Sequence, residues 1–310
     1  MPFNADLAGT RWGPVDWTFT PRRVLAYRAV LAPDDAAGLD DAASDGLFAL
    51  PMQIVSPEWV LALAARDHPG QTLTAAESRR AVHAGQDSRF HRPVRAGETL
   101  TLEAELLGAR AARAGVVAAT RFTARDAAGA LVAESLSTTV YRETALSAAA
   151  SADVPSPEYP PPAPAAGAAS LTLAAGFPHL YSECAEIWNP IHTERRVALA
   201  AGLPDIIVHG TALWALAGME AARRHAGGEV LRLTRLAARF TAPALPGRPL
   251  TLEHEPADGS VRLRLRADDG RDLLTGMATF AAGPDQALGS VPTLSAHACA
   301  SASARPAPKT

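Results

Sequence analysis

The chain has 310 residues, 48% of them hydrophobic and only 5% aromatic, with a formal net charge of −3. This allows a sizeable core filled mostly by Ala, Leu and Val, and it gives no electrostatic case for nucleic-acid binding. Two cysteines, Cys184 and Cys299, make no disulfide framework, no apolar run reaches the ~18 residues of a membrane span, and MPFNADLAGTRWGP lacks a secretory pattern, so a reducing cytoplasm is the expected setting.

In chain order, a short strand near Thr18-Phe19-Thr20 leads into a helical stretch that ends past Tyr27. A loop follows, and then Ser56-Pro57-Glu58 opens a second helix, with Ser able to cap and Pro suited to the first position. Trp59-Val60-Leu61-Ala62-Leu63-Ala64 is apolar nearly all round, as a buried helix is. Strand-like runs come next. Val116–Thr123 passes through Asp126-Ala127-Ala128-Gly129 to Leu131–Tyr141. His83 and His91 flank the polar Gln86-Asp87-Ser88-Arg89 and are expected on a sheet surface, close to where the two halves of the chain meet.

The order then repeats. Tyr27 recurs as Tyr181, 154 residues on; Leu50-Pro51…Ile54-Val55 recurs as Leu203-Pro204…Ile207-Val208, 153 on. Arg89-Phe90…Pro93…Gly97…Leu100-Thr101-Leu102-Glu103 recurs as Arg239-Phe240…Pro243…Gly247…Leu250-Thr251-Leu252-Glu253, 150 on. Three matches in one order with nearly constant spacing indicate a duplicated unit. In the second copy Thr211–Glu220 is the apolar helix, and Arg262, Arg264 and Arg266 alternate with apolar residues as on a strand with one wet face. The order suggests a helix wrapped by a curved antiparallel sheet, twice over, an α+β fold. The expected boundaries are an N-terminal unit at 1–146, a Pro/Ala-rich linker at 147–169, a C-terminal unit at 170–285 and a disordered tail at 286–310.

The chemistry concentrates between Tyr181 and Thr211. Asn189-Pro190-Ile191-His192 places a histidine just past a Pro-fixed turn, and His209-Gly210-Thr211 stands at the mouth of the apolar helix. A helix start offers unpaired backbone N–H groups where negative charge develops, and a base facing such a site is what proton chemistry beside a carbonyl requires. No CxxC, HExxH or carboxylate cluster supports a metal, no Gly-rich loop supports a nucleotide cofactor, and no G-x-S-x-G elbow supplies a serine nucleophile.

The string NPIH followed by A-x-A-A-G-L-P-x-I-I-V-H-G-T resembles the MaoC-like (R)-specific enoyl-CoA hydratases and dehydratases. The resemblance implies a double hot-dog fold whose N-terminal unit lacks the motif, with Pro33-Asp34-Asp35-Ala36 in the matching region. It implies reversible hydration of a 2-enoyl thioester, linked to CoA or a carrier protein, without a cofactor. His192 takes the water-activating role, Asn189 steadies the turn and Gly210 supplies the backbone donor to the thioester carbonyl. The family pattern G-D-x-N-P-x-H also carries an Asp, and here that position is Ile187. Glu183, one helical turn earlier, is a candidate replacement. His209 is read first as a helix cap and otherwise as a substrate contact, Thr211 as a hydroxyl near the thioester, and Trp188 as a wall of the acyl tunnel. Arg195, Arg196, Arg223 and Arg224 are candidate phosphate contacts. The alternatives are a non-catalytic acyl-thioester-binding subunit, favoured by Ile187, and a hot-dog thioesterase, disfavoured because Glu220 lies near the end of its helix. The expected partners are the thioester and further copies of the chain, as a homodimer or higher homo-oligomer, with no nucleic acid and no membrane.

Overall fold

The computed structural model describes residues 2–44, 46–147, 154–155, 159–162 and 167–283; the expected tail and most of the linker lie outside these. The N-terminal unit runs β1 (Arg11–Thr18), α1 (Pro21–Leu31), α2 (Val55–Arg66), α3 (Ala75–Arg79), β2 (Ala81–Phe90), β3 (Thr99–Ala112), β4 (Gly115–Arg125) and β5 (Leu131–Arg142). The C-terminal unit runs β6 (Gly167–Thr172), α4 (Phe177–Ala185), α5 (Arg195–Ala200), α6 (Gly210–His225), β7 (Leu233–Phe240), β8 (Pro249–Ala257), β9 (Ser260–Ala267) and β10 (Asp272–Phe280). β6 starts at Gly167, inside the segment read as linker.

All ten strands form one antiparallel sheet in the order β1-β3-β4-β5-β2-β7-β10-β9-β8-β6. The second five repeat the first in reverse, so the two units meet edge to edge at β2 and β7. In that junction Asp87 faces Ala237, and these two are themselves repeat partners 150 residues apart. The pseudo-twofold therefore passes through this pair. On the helical side it passes between Tyr27 and Tyr181, both fully buried, whose hydroxyls lie 3.3 Å apart.

Local chemistry explains the turns. Asp258 and Gly259 both adopt positive φ, the requirement of a two-residue hairpin between β8 and β9. Between β4 and β5, Asp126 Oδ1 accepts the N–H groups of Ala128 and Ala130 while Gly129 takes φ +80. On β9 the expected alternation holds: Val261, Leu263 and Leu265 are buried, and Arg262 and Arg264 pair with Glu255 and Glu253 on β8.

The central helices carry the core against the concave sheet. Trp214 and Leu61, repeat partners on α6 and α2, are both fully buried. One local expectation is corrected: Ser56 does not cap α2. That helix starts at Val55 as a continuation of a 3-10 turn, Pro51–Ile54, and Ser56 Oγ is buried without a hydrogen-bond partner.

Candidate active site

A cavity of about 440 Å³ opens between the two units. From the C-terminal unit it is lined by Ile187, Asn189, His192 and the start of α6; from the N-terminal unit by α2, β2 and β5.

His192 is positioned by a short 3-10 turn, Pro190–His192, whose entry Asn189 makes by accepting the Ile191 N–H at 3.5 Å. The ring is 8% exposed, and its Nδ1 lies 2.8 Å from the carbonyl of Ile207. A carbonyl only accepts, so Nδ1 carries the proton and Nε2 keeps its lone pair. Burial lowers the imidazole to about 4, outweighing the opposite pull of the Ile207 carbonyl. The ring is thus neutral near pH 7 and able to accept a proton.

His192 stacks on His209 with ring centroids 3.6 Å apart and an interplanar angle of 21°. His209 makes no side-chain cap to α6, which corrects the capping expectation. Its Nε2 reaches Ser182 Oγ at 3.1 Å and the Ile187 carbonyl at 3.3 Å instead, so it locks the motif loop to the helix mouth. Burial, reinforced by His192, lowers its basicity too. Its Nδ1 is buried without a partner.

Gly210 opens α6, and the helix's first bonds run from the N–H groups of Ala212 and Leu213 to the His209 carbonyl. The amides of Gly210 and Thr211 precede that ladder and belong to the positive end of a 16-residue helix. Thr211 Oγ1 lies 3.2 Å from the Tyr181 hydroxyl and also lines the cavity. A neutral imidazole, helix-start amides and an apolar wall can together hold a carbonyl compound and move a proton beside it.

Ile187 is 6% exposed and lines the cavity, so an aliphatic side chain fills the carboxylate position of the motif. Glu183 does not compensate: it is exposed and does not line the cavity, because it lies on the outer face of α4. Trp188 is 55% exposed and likewise outside the cavity wall, so it is no part of the tunnel. Of the arginines considered, Arg223 and Arg224 are held by Glu220 and Arg195 by Asp205.

Sequence reasoning missed the N-terminal contribution. Glu58, Arg66, His83, Gln86 and Arg142 all line the cavity. His83 does lie where the two halves meet, but it is half-buried on the cavity wall rather than on an open sheet surface: its ring lies 5.0 Å from that of Phe240, and burial lowers it to about 4. The usable signal was Glu58, one carboxylate within an otherwise apolar helix. Among the described residues no group of three or more His, Cys, Asp or Glu is arranged to hold a metal.

Comparison with known proteins agrees with this fold. Residues 180–266 match the MaoC like domain. The 3-hydroxyacyl-thioester dehydratase Y of Mycobacterium tuberculosis is 29% identical over 199 residues, covering 62% of this chain and 68% of that protein. The crystal structure of a MaoC-like dehydratase from Phytophthora capsici superposes with a TM-score of 0.75 at 17% identity, covering 90% of this chain and 98% of the other. A Mycobacterium tuberculosis protein described as a double hotdog fold does so with a TM-score of 0.57 at 18% identity, covering 87% and 95%. The fold is a double hot-dog, and its C-terminal unit is a MaoC-like dehydratase domain.

Proposed function

We propose that the cavity carries out reversible hydration of a 2-enoyl thioester to the 3-hydroxyacyl thioester, with CoA or a carrier protein as the thiol. One observation carries the reading: a neutral imidazole with a free Nε2 shares one cavity with the unpaired amides at the start of α6. In this reading the thioester carbonyl accepts the Gly210 N–H. His192 Nε2 takes a proton from water as the oxygen bonds to C3, charge moves onto the carbonyl oxygen, and a proton returned to C2 completes the addition. Dehydration reverses these steps. Asn189 and His209 hold the ring rather than react. Arg66 and Arg142, half-buried on the cavity wall, are better placed for the anionic part of the thiol carrier than the arginines tied up in ion pairs. The open edges β1 and β6 support assembly into a homo-oligomer, and a reducing cytoplasm remains the compartment we propose.

Two other readings each have one observation in favour. Ile187 favours a subunit that binds acyl thioesters without turnover. Glu58, a carboxylate on a central helix that lines the cavity, favours thioester hydrolysis. Crotonyl-CoA separates all three. Loss of the enoyl absorbance with formation of 3-hydroxybutyryl-CoA supports hydration, and His192→Ala is expected to slow it about 10³-fold. Release of free CoA thiol without hydration selects the thioesterase. Saturable binding with neither product selects the binding subunit.

A further inference from the structure

Glu58 is 5% exposed, and no Lys or Arg pairs with it among the described residues. Its Oε2 accepts the Gln86 Nε2–H at 2.9 Å; Gln86 Nε2 also reaches Ser88 Oγ at 2.9 Å, and the Ser88 and Ser135 hydroxyls are 2.7 Å apart. Ser137 Oγ and His83 Nε2, 3.0 Å apart, continue the polar surface. Burial lifts the carboxyl to about 7, so near neutral pH it can both donate and accept a hydrogen bond.

The fold does not require this polarity. The strand registers make Gln86 and Ser88 equivalent to Leu236 and Ala238, and Ser135 and Ser137 equivalent to Gly276 and Ala278. One unit packs apolar and small residues where the other sets Gln86, Ser88, Ser135 and Ser137 beside a buried carboxyl that has no ion partner among the described residues, a costly choice unless something bound in the cavity uses it. The position along the cavity is also informative. A Cβ on Gly210 would lie 3.4 Å from the Phe240 ring, and that ring lies 5.0 Å from His83, which adjoins Glu58 through Gln86. A chain whose carbonyl sits at Gly210 would therefore run past Phe240 and His83 toward the polar floor.

We propose that the deep end of the cavity recognises a neutral hydrogen-bonding group, a hydroxyl, on the distal part of the acyl chain, so that the substrates are polar-chain enoyl thioesters in preference to plain alkyl ones. This rests on the acyl-thioester reading. A distal carboxylate fits poorly: it would face Glu58, and the cations on the wall, Arg66 and Arg142, lie toward the more exposed end, Arg66 two helical turns along α2.

Saturated thioesters test this without turnover. Calorimetric titration of the full chain with hexanoyl-CoA, 6-hydroxyhexanoyl-CoA and adipoyl-CoA is expected to give about tenfold tighter binding for the hydroxylated chain. Adipoyl-CoA should bind weakest. Glu58→Leu should abolish or invert the preference, and the near-isosteric Glu58→Gln should keep part of it. His192→Ala should retain it in full even if every enoyl thioester fails as a substrate, which separates this idea from the catalytic one. Tighter binding of hexanoyl-CoA by wild type, or an unchanged preference in Glu58→Leu, would overturn it. So would equal losses of turnover on crotonyl-CoA and 6-hydroxy-2-hexenoyl-CoA in Glu58→Gln, which would put Glu58 at the reacting atoms instead.

Discussion

The two units share strand order and register but not content. At the helix mouth the offset of 153 residues puts Ser56, Pro57 and Glu58 opposite His209, Gly210 and Thr211. Proline has no N–H, so the N-terminal helix cannot offer the amide that Gly210 offers. Asn189-Pro190-Ile191-His192 has no counterpart either. In exchange the N-terminal unit has polar side chains where its twin has apolar ones. Both sets face one cavity, so duplication has let the halves diverge into complementary walls of one site rather than two copies of it.

The largest effect should come from making the active helix resemble its twin. Gly210→Pro replaces one amide hydrogen with a ring methylene and sets a Cβ in ordinary contact, 3.4 Å, with the Phe240 ring. Position 210 is the first of the helix, where proline is tolerated, and His209 already has φ −59 and ψ 131, the conformation preferred before proline. We expect kcat for enoyl-CoA hydration to fall about 10²- to 10³-fold, as for loss of an oxyanion donor, with an unchanged thermal transition. A variant with wild-type kcat would remove Gly210 from the mechanism.

The next test concerns the floors of the two units. Leu236 is fully buried and packs against Gly218, so Leu236→Ala should cost about 3 kcal/mol in urea unfolding. The equivalent change in the other unit, Gln86→Leu, should cost about 2 kcal/mol for a different reason: it leaves Glu58 and Ser88 short of a partner. A stabilised Gln86→Leu protein would mean that the polar floor is frustrated rather than satisfied.

Glu58 should also imprint a pH dependence on stability. Its folded-state value, about 7, lies above the ordinary 4.5, so its contribution is complete below about pH 4.5 and is lost as pH rises through 7. That change is on the order of 3 kcal/mol. His192 and His83, both lowered to about 4, act the other way and lose stability as pH falls from 6.5 toward 4. The difference between wild type and Glu58→Gln, measured by urea unfolding at pH 5 and pH 8, isolates the carboxyl. The variant should gain relative to wild type at pH 8, and a constant difference would mean that Glu58 is not desolvated.

The repeat, the helix-and-sheet units and the placement of His192 at a helix mouth were legible because each leaves a local trace: recurrent Tyr and Pro landmarks, two-residue alternation, a Pro-fixed turn. The N-terminal wall was not. Gln86 and His83 read as part of an ordinary polar strand, because pattern alone cannot tell a face that meets water from one that meets a cavity built by the other unit. Trp188 failed in the opposite sense: an aromatic inside the motif suggested a wall, but the loop turns it outward, 55% exposed. His209 sits where a cap belongs, yet stacking on His192 and bonding to Ser182 direct its ring away from the helix amides.

The smallest expected effect is the most specific. Ile187→Asp places a carboxylate where the pattern G-D-x-N-P-x-H has one. The side chain at 187 lines the cavity, and the backbone carbonyl there already accepts from His209, whose ring stacks on His192. A carboxylate at this point can share a water with His192 and stabilise the imidazolium formed when it takes a proton, so we expect about a tenfold gain in kcat. The dry site should charge about 2 kcal/mol in stability for it. A gain in rate would mean that the C-terminal unit works below its capacity because Ile187 displaced a partner for His192. No gain, with the fold intact, would mean that proton transfer here is organised without a carboxylate at 187. Among the described residues, His192, His209 and the N-terminal wall would then hold the titratable groups positioned to share it.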